Sequence, residues 1–141
     1  MSTFASVHRT VLLDGNPERV RGLRTGLDSF LADRGVTPTT RRAIVLAFSE
    51  ALDNAMEHGT VSGCGEVDVR LRFTPRFIVL SLRDEGSDRS PLGLPVEAAD
   101  TDERGRGFQL MNSLMDFVKV RHLPAGGTRV SMMRRLDTVE D

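Results

Sequence analysis

The sequence predicts an α/β (α+β) two-layer sandwich, a mixed, mainly antiparallel sheet with three helices on one face, and three observations carry that prediction. Two cap-then-proline helix starts, Asn16-Pro17 and Thr37-Pro38, lie one helix length apart. Val67, Val69, Leu71 and Phe73 alternate with polar residues, turn at Thr74-Pro75-Arg76, and are followed by the apolar run Phe77 to Leu82, the pattern of an antiparallel hairpin. A last helical stretch then leads into two more strand-like segments. At 141 residues and 39% hydrophobic, the chain has the apolar material for the core of such a sandwich, and it reads as one domain, 1–141.

In chain order, residues 4–13 alternate loosely as a first strand. Asp14-Gly15-Asn16-Pro17 is a turn into a helix, with Asn16 as N-cap and Glu18 in the first turn. Val20, Leu23, Leu27, Phe30 and Leu31 give that helix its buried stripe, Arg19, Arg21 and Arg24 lie on its outer face, and Arg34-Gly35 ends it. The central helix opens at Thr37-Pro38 and runs to about His58, before a loop containing Gly59 and Cys64. After the hairpin, periodicity is lost from Arg83 to Arg104, a length that suits a lid, placed at about 86–105. Gly105-Arg106-Gly107 is expected to open a helix from Phe108 to Asp116. Strands starting at Phe117 and at Thr128 finish the sheet, and the acidic tail 137–141 is expected to fray.

Composition excludes several functions. The formal charge of -1, with acids and bases interleaved, argues against a nucleic-acid binder held by a general positive field, although a local basic patch fits the same total. No apolar run is long enough to span a membrane, and the N-terminus lacks a signal-peptide pattern, so a cytoplasmic protein is expected. One cysteine, Cys64, excludes an internal disulfide and a cysteine metal cluster. Zinc hydrolysis has only Glu57-His58 to rest on, because His8 and His122 fall in strand-like segments. A dinucleotide fold is set aside because Leu110 stands where its third glycine belongs.

Three separated pieces carry the chemistry. Ile44, Phe48, Ala51 and Ala55 make one face of the central helix, while Glu50 and Asn54 lie one turn apart on another. Asn is a poor helix former, and its place beside a carboxylate in a helix interior gives up propensity. Asp84 ends a strand, with Gly86 two residues later, an arrangement that suits an exocyclic amine and a flat ring, as in adenine. Gly105 and Gly107, read as a turn at a helix start, would free N–H groups for phosphate. Asn54 supplies a neutral oxygen for Mg²⁺, and Glu50 is placed to take a proton.

These boxes resemble a known family, the stand-alone anti-sigma-factor serine kinases of bacteria within the GHKL ATPase superfamily. The matching stretches are Glu50 to Gly59, Arg83-Asp84-Glu85-Gly86, Gly105 to Met111, and Gly126-Gly127-Thr128, in order along the whole chain. The resemblance implies a Bergerat-type ATP-binding fold, ATP and Mg²⁺ as cofactors, Glu50 as general base and Asn54 as Mg²⁺ ligand. It implies Asp84 as acceptor for the adenine amine, supported by the Thr128 hydroxyl, and Gly86, Gly105 and Gly107 as glycines of nucleotide approach. Arg104 and Arg106 flank the phosphate turn and Phe108 follows it. The implied partners are an anti-anti-sigma (STAS-type) protein carrying the substrate serine, a sigma factor, and a second copy in a homodimer, with no direct nucleic-acid or membrane contact. A binding module that sequesters a regulator and uses nucleotide only to set affinity is the competing expectation. Asp88 departs from the family pattern, which has a second glycine there, and is expected to point to solvent.

Overall fold

The computed structural model describes residues 4–58, 65–85, 101–124 and 126–136. Along the chain come β1 (Ala5–Leu13), α1 (Pro17–Asp33), α2 (Pro38–His58), β2 (Gly65–Phe73), β3 (Phe77–Asp84), α3 (Thr101–Leu114), β4 (Phe117–His122) and β5 (Thr128–Arg135). The α1 start is built as its sequence requires. Pro17 occupies the first turn, and the Asn16 side-chain oxygen accepts from the Glu18 amide at 3.0 Å, satisfying a donor the helix cannot.

The sheet has the order β1-β2-β3-β5-β4 and every pairing is antiparallel, so it is mainly antiparallel as expected, with no parallel pair among the described residues. The chain reaches this order by crossing from β3 through α3 to the far edge and returning as β5 between β3 and β4. Opposite residues share a face, so Leu71–Leu80–Met132 and Val69–Leu82–Val130 form rows across the central strands. These rows pack under α1 and α2, whose Leu27, Leu31, Ile44, Phe48 and Leu52 are buried with them in one core. Each such aliphatic side chain contributes about 1.5–3 kcal/mol by leaving water.

One helix differs from the sequence reading at both ends, and it takes in residues 101–105 of the expected lid. Helix α3 begins at Thr101, not at Phe108, and ends at Leu114, not at Asp116. Thr101-Asp102-Glu103 places a capping-type residue and two acids at a helix start, which favours earlier nucleation and outweighs the propensity cost of Gly105 and Gly107. Both glycines therefore sit inside α3, where their amides fall to intrahelical carbonyls and not to the orphan donors of a helix end.

Glycine inside α1 gives a stability prediction. A Cβ built on Gly22 or on Gly26 meets nothing within 4 Å. Gly22→Ala and Gly26→Ala should each raise stability by about 0.5–1 kcal/mol, through helix propensity and a less free unfolded chain. Urea unfolding checks this, and a loss of stability at either position would show that the missing side chain serves a contact.

Candidate functional site

On α2 the residues divide by face. Ile44, Ala47, Phe48, Ala51, Leu52 and Ala55 are buried, and Glu50 and Asn54 are half-buried on the polar side. The buried Ser49 hydroxyl, just before Glu50, is satisfied locally, donating to the Val45 carbonyl at 2.8 Å. Helix α3 crosses close to this polar side. A Cβ added to Gly107 would stand 3.2 Å from Glu50 Oε1, 3.5 Å from Asn54 Nδ2 and 3.6 Å from Asn54 Oδ1. The glycine thus lets the α3 backbone approach both polar side chains, and any larger residue there crowds them.

The Glu50 carboxyl is held above its ordinary range, first because burial strips water from it, and then because Asp53 and Glu57 on the same helix add negative charge. Asp53 is raised as well, by burial first; Arg24 of α1 opposes the shift and Glu57 reinforces it. The spacing Glu50, Asp53, Glu57 was legible in the sequence as one helix side, but its effect on Glu50 was not drawn from it. A carboxylate raised in this way is a better proton acceptor at neutral pH than a free one.

The second half of the site lies at the end of the central strand. Ile78, Leu80, Leu82 and Asp84 alternate inward, so Asp84 faces the helix layer and is only 8% exposed. Register places it opposite Thr128, whose backbone N–H donates to Asp84 Oδ1 at 3.2 Å. This contact is made by the Thr128 amide, whereas the sequence reading assigns Thr128 a role through its hydroxyl. Gly127 makes this pairing possible. Its φ is +93°, and an added Cβ would overlap the Asp84 carbonyl oxygen and lie 3.0 Å from the Glu85 carbonyl carbon. The preceding turn is closed by Leu123 N–H to Gly127 O at 2.9 Å and Gly126 N–H to Leu123 O at 3.0 Å.

The structure thus brings Glu50, Asn54 and Gly107 together, and joins Asp84 with Gly127 and Thr128. Phe108 is half-buried and packs against the core. Gly105 lies within α3. Gly86, Asp88 and Cys64 lie outside the described residues, as do the side chains of His58, Arg104 and Arg106. Gly127 enters the sequence reading only within the stretch Gly126-Gly127-Thr128, without a role of its own; two consecutive glycines before a strand are the signal for one.

An inward Asp at a strand end, with a Glu and an Asn one turn apart on the helix packed over that strand, is a constellation that can be tested against known families. Residues 13–134 match the family described as the histidine kinase-like ATPase domain. The chain belongs to that family. Curated relatives with this type of domain length include the anti-sigma F factor of Clostridium acetobutylicum, 28% identical over 123 residues that cover 84% of this chain and 86% of the relative. The anti-sigma F factor of Bacillus subtilis is 28% identical over 119 residues, covering 80% and 82%. Among solved structures, the RsbU and RsbW domains of a Mycobacterium tuberculosis protein superpose with a TM-score of 0.67 at 25% identity, covering 96% of this chain and 34% of that one. The SiaB–SiaC complex of Pseudomonas aeruginosa superposes at 0.53 and 15% identity, a likeness of fold alone. The histidine kinase-like ATPase fold and the resemblance to anti-sigma-factor kinases read from the glycine boxes are therefore met. Among the described residues no helix is long and apolar enough to cross a membrane.

Proposed function

We propose that the chain is an ATP-dependent protein serine kinase and an anti-sigma factor, acting as a homodimer that phosphorylates an anti-anti-sigma (STAS-type) antagonist and sequesters a sigma factor. The observation that carries this reading is the approach of Gly107 to Glu50 and Asn54, which gathers a proton acceptor and a neutral oxygen ligand beside one backbone. The names of the anti-sigma F factor relatives support the regulatory part.

The residues fit the groups they are assigned. Mg²⁺ bound to a nucleotide takes most of its ligands from phosphate and water and needs few from protein, so a single Asn54 oxygen suits it. No group of three or more His, Cys, Asp or Glu exists among the described residues to favour a metal with a full protein shell. When bound, Mg²⁺ neutralises charge on the phosphates. Asp84 accepts from the adenine amine while the Thr128 amide fixes its other side. Glu50 takes the proton of the incoming serine hydroxyl as its oxygen bonds to the terminal phosphorus and the bridging bond to ADP breaks. Asp53 and Glu57 keep Glu50 receptive to that proton.

Calorimetry of the parent protein with ATP and Mg²⁺ tests the binding half. Heat of binding is expected for the parent, with Asn54→Ala losing the Mg²⁺ dependence and about tenfold or more in affinity. An Asn54→Ala protein that binds Mg²⁺-ATP like its parent would remove Asn54 from the metal shell. Incubation with a serine-bearing antagonist tests the transfer half: nucleotide binding without any phosphoserine leaves a module that sequesters its partner and reads nucleotide only through affinity.

A further inference from the structure

None of the residues assigned above to nucleotide or proton transfer lies on the sheet face turned away from the helices. Alternation puts Arg70 and Arg72 of β2, Arg83 of β3, Lys119 and Arg121 of β4, and Arg129 and Arg135 of β5 on this face. Glu66 and Asp68 are the carboxylates its strands contribute. Glu85, just past β3, shares a polar pocket with Glu66, Asp68 and Arg83, so seven cations against three carboxylates make a formal +4, on a chain whose whole formal charge is -1. Asp68 is already engaged, by the His8 ring at 2.5 Å and by Arg70 at 3.6 Å.

Register sharpens the imbalance. Arg83 lies directly opposite Arg129, and Arg129 directly opposite Arg121, so three guanidinium groups stand side by side on adjacent strands. Among the described residues none of them has a carboxylate in ion-pair reach. Like charges directly opposite destabilise a sheet. Two rows along, past Ser81, Ser131 and Lys119, lies an apolar corner: Phe117, 52% exposed, opposite Met133, which is opposite Val79, with Phe77 next along β3.

We propose that this face docks a protein partner with an acidic amphipathic surface, its carboxylates on the Arg83–Arg129–Arg121 row and its apolar side chains on Phe117, Met133 and Val79. Charge complementarity selects the occupant. A second copy presenting the same face would bring seven cations against seven. A nucleic acid would seek separate stacking rings along a basic track, whereas Phe77 and Phe117 belong to one apolar patch with Val79 and Met133 between them. Arginine grouped with Phe and Met is the composition of a protein interface.

The test uses fluorescence anisotropy with a labelled helical peptide of leucine and glutamate, its leucine and lysine counterpart, and an oligouridine. The acidic peptide binds the parent protein and the lysine peptide does not, with affinity falling as salt rises. R72E/K119E/R121E, three exposed positions away from the nucleotide site, lowers that affinity on the order of a hundredfold, and Phe117→Ser lowers it about tenfold. Arg129→Gln weakens the peptide while raising the melting temperature, because it removes the centre of the like-charged row. Any of three results overturns the proposal: no binding of the acidic peptide by the folded parent, tighter binding of the oligouridine than of the peptide, or a dimer in sedimentation that the triple variant dissociates.

Discussion

Glu50→Gln is expected to lower phosphotransfer by about 10²–10⁴-fold, the range of a positioned general base, while Mg²⁺-ATP still binds. Glutamine keeps the shape of the side chain that Gly107 crosses but accepts no proton. The remaining rate is measured by phosphoserine formation on an antagonist protein, and a variant as fast as its parent would take Glu50 out of the proton transfer. As the proposed base, the same residue is expected to set the acid limb of the rate profile. Burial, Asp53 and Glu57 raise its pKa, so activity should rise with pH through a value above the ordinary 4.5 of a glutamate.

A stability effect of opposite sign accompanies this loss. A carboxyl whose folded pKa lies above its unfolded one binds more protons in the native state, so its contribution falls as pH rises from the unfolded value through the folded one. At neutral pH the ionised Glu50 therefore costs stability. Glu50→Gln removes that cost: its melting temperature should exceed that of the parent at neutral pH, and the gap should close below pH 4.5. A gap that stays constant with pH would mean that ionisation of Glu50 has no part in it.

Gly127→Ala carries the largest expected stability change, about 3 kcal/mol or more. Two costs add. The alanine must hold φ at +93°, and its Cβ must displace the Asp84 carbonyl and the Glu85 backbone. The displaced segment is the end of β3, so the Thr128 amide loses its alignment on Asp84 Oδ1 and nucleotide affinity falls with stability. Urea unfolding and calorimetry with ATP read the two effects, and an unchanged urea midpoint would refute the close approach at this turn.

Most of the fold was legible because local chemistry and tertiary packing agree. Asn16 caps α1, Pro38 opens α2 as expected, and the alternation of Val67 to Phe73 is the inward face of β2. Helix α3 starts earlier than the sequence indicates because Gly105-Arg106-Gly107 reads as the turn that opens it, while the start signal in Thr101-Asp102-Glu103 lies inside a stretch without periodicity. In the site, one turn of α2 announced Glu50 and Asn54, since i and i+4 neighbours are fixed by helix geometry alone. Their meeting with Gly107 depends on how α3 crosses α2, and the Gly127 contact depends on β5 lying beside β3, which no local pattern encodes.

Placing β5 between β3 and β4 also sets the order in which the sheet can close during synthesis. The ribosome delivers β3 well before the strand that will be its neighbour, so until residues 128–135 emerge, Asp84 has no Thr128 amide to hold it and β3 keeps an open edge. A nascent chain arrested ahead of β5 can already have Glu50 and Asn54 on a helix while Asp84 still lacks its amide partner.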